Sequence, residues 1–169
     1  TAPAYGVPMP PTTVRAVDWA TKLEQTGIYL QDQVKFDQRW VVTLGGRHDQ
    51  AKKRFTNRLD ATKNTDQTDD AFSGRAGLTY LADGGMAPYV SYAESFMPQT
   101  SVLADGSLSD PATAKQWEVG VKYQPSGSET LLTAAWFDLT KGNVTTADPA
   151  IPGNLYQTGQ IHSKGLELE

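Results

Sequence analysis

The sequence predicts an all-β fold: an antiparallel up-and-down sheet of about seven strands, from the wall of a transmembrane β-barrel. Three observations carry that expectation. Apolar and polar residues alternate with a period of two, short and long connections take turns along the chain, and aromatic residues gather beside the short connections.

The expected strands follow one another at regular intervals. In 23–36, Ile28, Leu30, Val34 and Phe36 form an apolar face that Asp32 interrupts. A lipid-facing carboxylate is unfavourable, less so near the interface. In 40–55, Trp40, Val42 and Leu44 share one face, with Thr43, Gly45, Arg47 and Asp49 on the other. In 72–81, Phe72, Ala76, Leu78 and Tyr80 oppose Ser73, Arg75, Gly77 and Thr79. The strand 115–124 alternates most cleanly, with Trp117, Val119, Val121 and Tyr123 against Gln116, Glu118, Gly120, Lys122 and Gln124. Two others leave their orientation open: 87–96 has mixed faces, and 130–141 has two faces of apolar or small residues. The last, 159–169, still alternates at Leu166-Glu167-Leu168-Glu169, which reads as a strand cut within a larger barrel.

Between them lie three turns: Asp37-Gln38-Arg39, Ala82-Asp83-Gly84-Gly85 and Pro125-Ser126-Gly127-Ser128. The intervening connections, 57–70, 97–113 and 142–158, are long and polar. Alternate connections of an up-and-down sheet lie at the same end, so one end carries turns and the other loops. Phe36, Trp40, Tyr80, Tyr89 and Tyr123 flank the turns. Such rings suit the headgroup layer, where the apolar body is buried and the polar tip stays wet. Ordinary strand propensity is the competing explanation.

Composition excludes several classes. Fifteen basic and nineteen acidic residues give a net charge of -4, which advertises no surface for nucleic acid. The absence of cysteine removes disulfides, zinc thiolates and thiol nucleophiles. Mean hydropathy is -0.46 and no run approaches the roughly 20 apolar residues of a membrane helix. A membrane strand escapes that test, because only alternate residues face lipid. Residues 1–11, rich in Pro, Ala and Thr, do not form a signal peptide, so the chain is expected to be mature protein or part of one. With no phosphate loop, nucleophile elbow or paired histidines, an enzyme is not expected. His48 and His162 stand apart, and Asp66, Asp69 and Asp70 lack the spacing of a calcium loop, so no metal site is expected.

Several blocks resemble the TonB-dependent siderophore receptors of the ferrichrome, or ferric hydroxamate, type. They are Gly27-Ile28-Tyr29-Leu30-Gln31-Asp32-Gln33, Leu44-Gly45-Gly46-Arg47-His48-Asp49, Ala87-Pro88-Tyr89-Val90-Ser91-Tyr92-Ala93-Glu94-Ser95-Phe96, Gln116-Trp117-Glu118-Val119-Gly120-Val121-Lys122-Tyr123 and Lys164-Gly165-Leu166-Glu167-Leu168-Glu169. The resemblance implies a barrel of about 22 strands in the outer membrane of a Gram-negative bacterium, its lumen filled by an amino-terminal plug. Residues 1–169 match only part of that barrel, with 1–21 as an extracellular loop and the plug absent. It also implies uptake of a ferric siderophore driven by the TonB-ExbB-ExbD complex through the missing plug region. Iron is then cargo, and no resident cofactor is expected.

Candidate residues follow from this picture. Arg47, Arg75, Glu118 and Lys122 fall on polar faces, which the resemblance turns toward the plug; a hydrated lumen wall is the plainer reading. Lys52, Lys53, Arg54 and Arg58 crowd the end of the second strand. They would meet lipopolysaccharide phosphates at an outer leaflet, or simply extend a solvated strand. Phe96, Met97, Gln99, Trp136 and Tyr156 lie nearest the long loops and are the candidates for holding a compact iron chelate; loop packing or a girdle is the alternative. A different class remains in view, a secreted β-sheet binding module of the carbohydrate-recognition type, and after it an outer-membrane hydrolase.

Overall fold

The computed structural model describes residues 17–169. Most of the expected loop at 1–21 lies outside the described residues, but Trp19, Ala20 and Thr21 already belong to strand β1 (Trp19–Phe36). There follow β2 (Trp40–Asn57), β3 (Thr65–Tyr80), β4 (Met86–Met97), β5 (Ala112–Tyr123) and β6 (Leu132–Gly142). The short strands β7 (Thr145–Ala147) and β8 (Leu155–Gln157) precede β9 (Gln160–Leu168). Seven strands make one sheet in the order β1-β2-β3-β4-β5-β6-β9, and β7 pairs with β8 outside it. Every neighbouring pair is antiparallel.

Register sorts the side chains into two faces. One row runs Val34, Val42, Leu78, Val90, Val119, Trp136 and Leu166, each opposite the next across the whole sheet. Leu166 is 80% exposed and Val34 52%, so this face has no protein partner among the described residues. On the other side, Thr43, Gly77, Ser91 and Glu118 occupy a neighbouring row. A single sheet with an uncovered apolar face does not fit the secreted module, which needs a second sheet to bury it. It fits a strand wall whose solvent is lipid.

The far edge of the apolar band is polar and slanted. In β9 and β6 it begins at Lys164 and Asp138, an ion pair of 2.9 Å, and in β4 and β5 at Glu94 and Lys115. In β2 and β3 it begins at the facing pair Gln50 and Asp70. Asp32 of β1 lies in the same row as Lys164, yet β1 stays apolar through Leu30 and Ile28 until Thr26, six residues beyond Asp32. Strands tilted by about 40° and spaced about 4.8 Å apart shift by roughly one residue per strand against the membrane plane, which accounts for the drift. Asp32 therefore sits within the band, where its carboxylate accepts the backbone N–H of Gln33 at 2.8 Å.

The turn end is tied together by aromatics and caps. Phe36 stacks on Trp40, and Trp40 lies 4.7 Å from Tyr80. The Arg39 guanidinium donates to the Tyr80 hydroxyl at 3.1 Å and pairs with Asp83. Gly85, at φ 85, accepts from the Gln124 N–H, and a Cβ there would strike the Gln124 carbonyl. Tyr89, expected in this girdle, pairs with Gly120 and so points to the opposite face.

The loop end departs further from expectation. Half of 57–70 is strand: β3 begins at Thr65 and pairs with β2 as far as Phe55. Above the membrane the outward face is wet and the loop-covered inward face is polar as well, so residues 65–70 have no apolar alternation to betray them. The backbone ladder to β2 holds them, lined by cross-strand charge such as Arg54 and Asp66 at 3.0 Å. The connection 98–111 folds over the polar face of β2, burying Ala51, Phe55, Leu108, Ser109 and Ala112. That polar, loop-covered face is the inward one.

The faces make a direct prediction. In the full-length protein, Val119→Arg on the apolar face should lower stability by about 2–4 kcal/mol, while Ser91→Arg on the inward face should change it by under about 1 kcal/mol. Urea unfolding in a bilayer measures both.

Candidate functional site

The inward wall is built by placing large polar side chains across glycines of the neighbouring strand. Arg47 lies over Gly27 and grips Asp49 with both arms, at 2.6 and 2.7 Å, while Gln25 donates to the same carboxylate at 3.0 Å. Arg75 lies against Gly45, and Tyr89 against Gly120. The Tyr89 hydroxyl donates to Glu118 at 2.6 Å, Gln116 donates to its other oxygen at 3.0 Å, and the Lys122 ammonium sits 5.5 Å from the Tyr89 ring. Phe137 fills the space over Gly165.

The four residues expected on polar faces thus share the inward one. Arg47 and Arg75 line a groove of about 300 Å³ with Tyr29, Gln31 and Ser73. Glu118 and Lys122 line another of about 250 Å³ with Tyr89, Glu167 and Glu169. Glu167 was not among the expected residues. Its alternation with Leu166 and Leu168 was visible, but only register against Ala135 brings it beside Glu118.

The basic cluster is split by the same periodicity. Lys52 and Arg54 point outward, opposite Glu24 and Lys22 of β1. The Glu24 carboxyl is held below its usual range, first by Lys22 and then by Lys52 and Arg54. Arg58 pairs with Asp18 at 3.4 Å. Lys53 is a correction to the expected lipopolysaccharide-facing set. One position from its neighbours, it points inward and is wholly buried, 2.7 Å from Asp69.

The candidates near the loops are also divided. Trp136 faces lipid between Val119 and Leu166, so it is removed from the chelate-holding set. Phe96 lies on the same outward face above the band, opposite Thr113, so it points away from the lumen and is removed as well. Met97 points inward at the mouth. Gln99 donates to the Asn143 carbonyl at 2.9 Å and accepts from the Thr145 hydroxyl at 2.7 Å. Tyr156 lies in the β7–β8 hairpin opposite Thr146 and is 44% exposed. His48 and His162 both face outward, His48 beside Ile28 and Phe72 and His162 3.1 Å from the Thr140 hydroxyl. In loop 98–111, Asp105 accepts from the hydroxyl and N–H of Ser107, which holds its carboxyl below the usual range.

A two-faced antiparallel wall, an apolar band with aromatic margins, turns at one end and inward-folded loops at the other define a section of an outer-membrane β-barrel. Comparison with known proteins gives the family. The model described as TonB dependent receptor-like, beta-barrel matches residues 1–169, and the chain belongs to that family of outer-membrane receptors and transporters. It is 44% identical over 149 residues to the ferrichrome outer membrane transporter/phage receptor of Escherichia coli K12, covering 88% of this chain and 20% of that protein. It is 42% identical over 149 residues to the ferrioxamine receptor of Yersinia enterocolitica, with the same coverage of 88% and 20%. Among solved structures, the siderophore receptor PiuA from Acinetobacter baumannii superimposes with a TM-score of 0.72 at 26% identity, over 89% of this chain and 23% of that one. The chain therefore spans about a fifth of the length of the curated relatives it matches.

The glycine seats are testable. Gly120→Ala places a Cβ against the Tyr89 hydroxyl and the Ala134 carbonyl, whereas Gly77→Ala meets only ordinary contacts. In the full-length protein, Gly120→Ala should destabilise by about 1–3 kcal/mol and Gly77→Ala by much less, read as the temperature at which folded migration in detergent gels is lost. Equal midpoints would contradict the packing described.

Proposed function

We propose that the full-length protein is an energy-coupled importer of ferric siderophores, of the hydroxamate class that includes ferrichrome and ferrioxamine. The observation that carries this reading is the identity to the ferrichrome and ferrioxamine receptors across the wall and its outer loops together. The chemistry is compatible. A ferric hydroxamate is a compact chelate whose iron is already enclosed, so it is held by aromatic rings and hydrogen-bond donors rather than by metal ligands. Met97, Gln99 and Tyr156 stand at the mouth, where such groups would meet it on its way in.

The inward wall would face the plug. Arg47, Arg75, Glu118 and Lys122 offer both signs of charge, and the two arginines lie over glycines that leave room for a second surface. Partly hydrated pairs of that kind are individually weak, which suits a plug that must stay seated yet shift during transport. TonB-ExbB-ExbD would act through the plug, beyond this chain. Lys52 and Arg54, outward and above the apolar band, would meet lipopolysaccharide phosphates beside Lys22. Iron is cargo in this scheme; the protein needs no resident cofactor and performs no covalent chemistry.

Growth tests the proposal. A strain lacking its hydroxamate receptors, given the full-length protein, should grow on ferrichrome or ferrioxamine as sole iron source and lose that growth when the TonB complex is deleted. Growth on neither chelate, or on ferric catecholates alone, would overturn the assignment.

A further inference from the structure

Lys53 is the most deeply enclosed charge in the described wall, and nothing in the proposed transport scheme uses it. Its side chain is 0% exposed, with the ammonium 2.7 Å from the Asp69 carboxylate and donating to the Ser109 carbonyl at 2.6 Å. Asp69 belongs to β3, on the same inward face, while Ser109 belongs to loop 98–111. The ammonium thus fastens an outer loop to the wall through a main-chain oxygen, a contact that survives any side-chain change at Ser109. Leu108, the residue before Ser109, is itself buried at 4% exposure.

A second loop is fastened to the first. The Gln157 amide bonds Asp110 in both directions, accepting its N–H at 2.7 Å and donating to its carbonyl at 2.6 Å. The same amide donates to the Asn143 carbonyl at 2.9 Å, and Ala104 donates to Leu155 at 2.9 Å. Asp110 is the residue after Ser109, so the Gln157 fastening of the second loop adjoins the Lys53 seat, while Ala104 and Gln99 tie the two loops together further along.

The seat is balanced rather than deep. A buried ion pair is roughly neutral in stability against its hydrated form, and here the pair is built across β2 and β3, so it persists in water if the loop lifts. The Ser109 hydroxyl is buried with no partner among the described residues, which opposes seating. Apolar burial at the seat is confined to a few side chains, Ala51, Phe55, Leu108 and Ala112, and so small an apolar contact is the setting in which local opening is easiest.

We infer that Lys53 is a latch: it holds loops 98–111 and 143–159 inward as one cap over this side of the mouth, and the two loops lift together when the latch is released. The inference concerns the loops alone and stands or falls independently of which chelate is carried.

Amide hydrogen exchange on the full-length receptor tests it. Lys53→Met should speed exchange at Ala104, Ser109 and Asp110 by about tenfold or more, and at Asp148 and Thr158 of the second loop by a similar factor, with residues 40–47 unchanged. Gln157→Ala should speed the second loop alone. Should Lys53→Met fail to reach the membrane, Asp69→Asn, which removes the ion pair at constant size, carries the same expectation. Unchanged loop exchange, acceleration of the first loop without the second, or equal acceleration of residues 40–47 would each overturn the latch.

Discussion

In the hydrocarbon of a bilayer no water is available to a backbone N–H or C=O, so every such group must find its partner in the chain. The rest of this structure depends on that constraint. It is met here by unbroken antiparallel ladders, with β1 and β2 paired along their whole length from Trp19 opposite Asn57 to Phe36 opposite Trp40. A ladder in turn fixes a side-chain period of two, and the period assigns each residue to lipid or lumen. One step along β2 separates Lys52, in the outer charge network, from Lys53, buried under a loop.

The inward face solves a different problem. Its large polar groups lie flat over glycines on the next strand, Arg47 over Gly27 and Tyr89 over Gly120, so the wall is charged without being bulky. Asp49 and Glu118 satisfy those groups within the wall itself. Toward the outside the membrane no longer dictates the pattern. There the strands continue on charge pairing such as Arg54 with Asp66, and the loops turn inward on hydrogen bonds through Gln157 and Lys53.

What was legible in the sequence follows from where solvents differ on the two faces. Trp117 to Tyr123 announced both strand and orientation because lipid and lumen select opposite residues there. The stretch 65–70 was hidden because both its faces carry polar side chains, and a charged strand then resembles a charged loop. Strand 87–96 stayed ambiguous because Tyr89 faces the lumen while Tyr92 faces lipid against Trp117, and an aromatic alone does not say which. The wall-lining set Arg47, Arg75, Glu118 and Lys122 was readable from periodicity. Lys53, Trp136 and Phe96 were not, because each was grouped with its sequence neighbours or with the loops, whereas register decides the face. Glu167 needed a partner strand to reveal it.

The central claim is that one periodicity divides this wall between lipid and lumen. A single-cysteine scan of residues 116–123 in the full-length receptor, spin-labelled in bilayers, tests it most directly. Labels at Trp117, Val119, Val121 and Tyr123 should respond to oxygen dissolved in lipid, and those at Gln116, Glu118, Gly120 and Lys122 should be shielded from it. An accessibility profile with no period of two, or with the opposite phase, would contradict the account.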